Sequence, residues 1–150
     1  MAVTIAQICD AITTVVGTVT TVTRTQSYDQ LGEGINSADT PLVQVYWQSL
    51  AMAPPGGTDR STFVAGRRYK QFSFHVDVYG QQRSQLAEDM TALVDVVDDI
   101  IDALEAQKES PYFDLAGIRS WALASAERVT FQYADATFVG ARLILTVWVY

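Results

Sequence analysis

A single histidine, His75, and a single cysteine, Cys9, bound the chemistry open to this chain. A Ser-His-Asp or Cys-His site would have to use His75, and no nucleophile motif such as G-x-S-x-G accompanies it. His75 stands in FSFHVDVYG, where Phe72, Phe74, Val76 and Val78 alternate with Ser73, His75, Asp77 and Tyr79. Asp77 shares its face and offers a pH-sensitive pair, although an ordinary strand histidine on the less buried face is the simpler reading. One cysteine and one histidine are too few for a zinc or soft-metal site. Asp95, Asp98, Asp99 and Asp102 crowd one helical segment, but a calcium loop needs a turning backbone with a glycine, and that segment lacks one. Gly56 and Gly57 are not followed by the Lys-Ser/Thr of a phosphate loop. Catalytic, cofactor-binding and metal residues are therefore all expected to be absent.

The elements that must carry these residues are readable from periodicity. Ile5, Ile8, Cys9, Ile12, Val15 and Val16 recur at helical spacing, with Thr4 as N-cap and Gly17 as the stop. The β-branched run after Gly17 predicts a strand from Thr18 to Thr25. Ser27 to Thr40, with Gly32, Gly34 and Asn36, reads as a loop. Pro41 opens a second strand, Leu42 to Leu50, at a position where a sheet tolerates proline. A turn-rich connection, Ala53 to Gly66, leads to the alternating strand around His75, and its length marks it as functional or mobile. From Ser84 to Gln107, Leu86, Met90, Leu93, Val97, Ile101 and Leu104 form an apolar stripe, with Ser84 as N-cap. Two strands, Trp121 to Gln132 and Phe138 to Val149, close the chain.

The order α-β-β-β-α-β-β implies a single α+β domain: a mainly antiparallel sheet of four to five strands with two helices packed on one face. In the closing strand Leu143, Leu145, Val147 and Val149 make one face, and Ile144, Trp148 and Tyr150 the other. A strand apolar on both faces needs cover on both. The second cover is either another subunit or the Ser27–Thr40 loop.

Charge adds a second pattern. The chain has 150 residues, half of them hydrophobic (49%), and a net charge of −7. That balance disfavours a general nucleic-acid binder, which needs a basic footprint. No apolar run approaches the ~20 residues of a membrane-spanning helix, no signal peptide is evident, and a lone thiol suits a reducing cytoplasm. Between Ser84 and Gln107 seven acidic residues stand with no basic one, whereas Arg60, Arg67, Arg68 and Lys70 gather in and after the long connection. The acidic helix reads as a solvated outer face or as a docking or channel-lining surface. Paired with the basic group, it would suit head-to-tail contact between copies.

The succession TIAQICDAITTVV, TPLVQVYWQSL, FSFHVDVYG, QLAEDMTALVDVVDDIIDAL and FVGARLILTVWV resembles the tail terminators and related neck proteins of long-tailed phages. These are small α+β proteins with an N-terminal helix, a Pro-led strand, a long loop, an alternating strand, an amphipathic helix and a closing hairpin. The similarity covers nearly the whole chain and lies in the pattern, not in one motif. It implies a homohexameric ring at the head–tail junction of the virion, built in the host cytoplasm, that ends the tail tube and joins it to the neck. Its partners would be further copies, the tail tube protein and neck or connector proteins, with DNA passing the channel without specific binding. No enzyme activity, cofactor or membrane is implied. Trp148, Tyr150, Ile144, Arg60, Arg67, Arg68, Asp95, Asp98, Asp99 and Asp102 are the expected interface residues. The alternatives are another neck or minor tail component and, from a different class, a small cytoplasmic enzyme or ligand-binding domain.

Overall fold

The computed structural model describes residues 3–35, 37–53, 69–82 and 86–149. The elements run α1 (Ile5–Gly17), β1 (Arg24–Gln26), β2 (Leu42–Ala53), β3 (Tyr69–Gln82), α2 (Leu86–Glu105), β4 (Ile118–Tyr133) and β5 (Ala136–Val149). Among the described residues this is the order expected from the sequence, and the fold is α+β. The five strands form one mixed sheet in the order β1-β2-β3-β5-β4, parallel at β1–β2 and antiparallel elsewhere.

Thr4 starts α1 with a capping box: its side-chain oxygen accepts from the Gln7 N–H at 3.2 Å, and Gln7 Oε1 accepts from the Thr4 N–H at 2.9 Å. Past Gly17 the expectation of a strand from Thr18 is corrected. The Thr18 N–H donates to the carbonyls of Val15 and Val16, and its hydroxyl donates to Val15 at 2.6 Å. The N–H groups of Val19 and Val22 donate three residues back. Backbone groups engaged in turns cannot join a ladder, so β-branched propensity is overridden until Arg24. There β1 pairs for three residues, Arg24–Leu42 to Gln26–Gln44.

The registers put Val43, Val45, Phe74, Val76, Val78, Leu143, Leu145 and Val147 on one face of the sheet. All are buried, in one cluster with Ile8, Cys9, Ile12 and Val16 of α1 and Leu93, Val96, Ile100 and Leu104 of α2. The buried stripe of α2 is thus rotated from the expected one, leaving Met90, Val97 and Ile101 half-buried at its margin. A smaller cluster, Leu42, Tyr79, Phe131 and Phe138, lies on the other face, with Ile35 from the connection between β1 and β2 packed against it. The Tyr79 and Phe131 rings stack at 4.3 Å. Between them the ladder must be bare: a Cβ on Gly140 would stand 2.2 Å from the Val78 carbonyl oxygen and 2.5 Å from the Phe131 ring.

Candidate functional site

One cross-strand row runs the width of the sheet. Gln26 of β1 pairs with Gln44 of β2, Gln44 with Asp77 of β3, Asp77 with Arg142 of β5, and Arg142 with Glu127 of β4. Strand alternation puts all five on the face that carries His75. At one end the Gln44 amide donates to Gln26 Oε1 at 2.9 Å, and both glutamines are buried.

The centre of the row is an ion pair. Arg142 donates from Nε to Asp77 Oδ1 at 2.8 Å and from Nη2 to Oδ2 at 3.0 Å, a bidentate fork. The Asp77 side chain is 3% exposed, that of Arg142 30%. Tyr46 of β2 donates its hydroxyl proton to Asp77 Oδ2 at 2.6 Å and accepts from Arg142 Nη2 at 3.2 Å. His75 Nδ1 lies 3.2 Å from the same hydroxyl oxygen, with the two rings edge to face. His75 therefore reaches Asp77 through Tyr46.

Electrostatics follow from this packing. Burial, reinforced by the Asp77 hydrogen bond, pushes the Tyr46 phenol well above its usual range. Burial and the Arg142 charge hold His75 below its ordinary value, against the opposite pull of Asp77 and Glu127. The hydrogen bond to Asp77 raises Arg142, which stays charged throughout. In the other core, burial pushes the Cys9 thiol up to about 12, so little of it is thiolate near neutrality.

The sequence singled out His75 and Asp77 but not Tyr46 or Arg142. A signal for Arg142 was present: it is the only charge in β5, and a charge in a buried strand requires a partner. Ile144 pairs with His75 in the register and is half-buried, as is Trp148, opposite Gln71. Asp95, Asp98, Asp99 and Asp102 are all exposed along α2; Asp99 accepts from the Thr21 hydroxyl at 3.0 Å. Arg60, Arg67, Arg68, Tyr150, the Ser84 cap and residues 54–66 of the long connection lie outside the described residues.

Among the described residues no group of three or more His, Cys, Asp or Glu side chains could hold a metal ion. Nor is any helix there long and apolar enough to cross a membrane. No protein-family model and no curated protein matches the chain. Chemically, the cluster is a set of groups that satisfy one another: a carboxylate, a guanidinium and a phenol, with an imidazole at the margin. That arrangement fixes three strands in register and orients His75.

Proposed function

We propose that the chain is a structural virion protein, a subunit of a ring at the head–tail junction that ends the tail tube and joins it to the neck. The observation that carries this reading is the sheet face around Ile144 and Trp148. The connection between β1 and β2 reaches the Leu42–Phe138 end of that face through Ile35, while Ile144 and Trp148 stay half-buried. Trp47 and Leu50 on β2 are 44% and 46% exposed. Apolar side chains left partly open at several points of a sheet suit a protein that completes its cover with further copies. The element order agrees with the one the resemblance implies. In a hexameric ring the exposed aspartates of α2 would either repel passing DNA or meet the Arg60, Arg67 and Arg68 region of a neighbour. The tail tube protein and a neck or connector protein would take the two ring faces.

Native mass and sedimentation at low and high salt test the proposal. A self-assembling ring is expected, and a stable monomer under both conditions would sink it. The polar cluster favours one other reading, a small enzyme or ligand-binding domain centred on His75, and a monomer that loses a ligand on changing His75 to Gln would establish it. Another neck or minor tail component on the same fold would also form rings. It would be told apart by failing to cap purified tail tubes.

A further inference from the structure

The hydrogen bonds around Tyr46 determine where the protons of His75 sit. The Tyr46 hydroxyl has one proton to donate, and its oxygen otherwise only accepts. Asp77 accepts from Arg142 on both oxygens, as an ionised carboxylate does, so the proton between Tyr46 and Asp77, 2.6 Å apart, belongs to Tyr46. With that proton directed at Asp77, the phenol oxygen has only acceptor positions left. Arg142 Nη2 fills one at 3.2 Å. The His75 Nδ1 contact at 3.2 Å is then a hydrogen bond only if Nδ1 is the donor.

We infer that His75 is a one-sided proton switch: Nδ1 is locked as a donor to Tyr46, and the outer nitrogen, Nε2, an acceptor without a partner among the described residues, becomes a donor on acidification. Nε2 has no hydrogen-bond partner among the described residues, and the side chain is half-buried. The imidazolium also carries Nδ1–H, so gaining a proton at Nε2 leaves the Tyr46 contact in place. What changes is the outer surface. At neutral pH a group seated against His75 must be a hydrogen-bond donor, and in acid it must be an acceptor or an anion.

Among the described residues, charged or polar groups act on the ring from each neighbouring strand. Arg142 of β5 opposes protonation, as does burial; Asp77 of β3 and Glu127 of β4 favour it, and Tyr46 of β2 supplies the fixed acceptor. The balance places the switch below the ordinary histidine value of 6.5. The proton state in question is independent of the ring reading, and its failure would leave that reading untouched.

His75 is the only histidine, so ¹⁵N-histidine labelling gives one ring to observe. A long-range ¹H–¹⁵N correlation at pH 8 should show a protonated Nδ1 and an unprotonated Nε2. Acidification should protonate Nε2 with a midpoint below 6.5 while Nδ1 remains protonated. An Nε2–H tautomer at pH 8 would overturn the inference. In Tyr46→Phe the tautomer should shift toward Nε2–H, the form more common in free histidine; an unchanged Nδ1–H form would mean that Tyr46 is not the lock. Should that variant not fold, the wild-type tautomer decides alone.

Discussion

The two ends of one sheet face make opposite use of apolar side chains. At one end Leu42, Tyr79, Phe131 and Phe138 are buried, and Ile35 closes over them. Arg24 ties that connection down, bonding to the Gly34 carbonyl at 3.3 Å, to Asp39 at 2.9 Å and to Glu33. At the other end Ile144 and Trp148 are half-buried among Gln71, Ser73 and Ser120, which are also half-buried. The Asp77–Arg142 pair stands between, with the Arg142 guanidinium 5.7 Å from the centre of the Phe131 ring. The contrast shows where the chain completes its own core and where its apolar side chains stay partly open.

The closed end should be the costly one to disturb. Phe131→Ala removes a ring stacked on Tyr79 and 9% exposed, and its loss is expected to destabilise the fold by about 3–4 kcal/mol. Urea unfolding followed by circular dichroism measures it. A loss below about 1 kcal/mol would mean that this end is no more of a core than the Trp148 end.

Next in size is the boundary. Arg142→Ala leaves the Asp77 carboxylate buried, with only the Tyr46 hydroxyl as a side-chain donor among the described residues. Breaking a fully buried pair costs roughly 3–5 kcal/mol, and the partial exposure of Arg142 reduces that to about 2–3 kcal/mol. Urea unfolding measures it, and full retention of stability in Arg142→Met, which keeps apolar bulk near Phe131 without the charge, would argue that packing, not charge, is what Arg142 contributes.

Much of this layout was legible in advance because it depends on period. The 3.6 repeat of α1, the strict alternation of β3 and the double-sided hydrophobicity of β5 each follow from one local rule. The Thr18–Thr25 run misled because β propensity is only a prior, and hydrogen bonds back to Val15, Val16 and Val19 override it. The buried stripe of α2 rotated because the sheet's position, not the helix's own pattern, selects which of several apolar faces is covered. The polar cluster was half visible. His75 and Asp77 are two residues apart in sequence, but Tyr46 and Arg142 reach them across strands, and only the register says which cross-strand residues meet.

A smaller effect is expected at the tie. The Arg24 side chain is 31% exposed and its partners Glu33 and Asp39 are 52% and 31% exposed. Solvent screens such pairs, so Arg24→Ala should leave global stability nearly unchanged. Its signature should be local: faster proteolysis between Ser27 and Thr40, with the unfolding midpoint little changed. Unaltered cleavage in that segment would show that Ile35 holds the connection without Arg24.

A small cost to the fold, and the sharpest test of the contrast, is expected at Trp148. Its half-buried ring has less apolar surface to lose than a core aromatic, so Trp148→Ser should cost about 1 kcal/mol in the isolated subunit. An aromatic that becomes fully covered at an interface behaves differently, since truncating such an anchor can cost ~2 kcal/mol or more of binding free energy. In a closed ring the same contact recurs between every pair of neighbours, so assembly should fail while each subunit remains folded. Circular dichroism and urea unfolding read the first quantity; native mass or sedimentation reads the second. A folded monomer is the expected result. If Trp148→Ser unfolds as readily as Phe131→Ala, the two ends are one core and the contrast between them disappears. If the variant still assembles fully, the contact between copies lies elsewhere, and the exposed aspartates of α2 with the Arg67–Arg68 region become the surface to test.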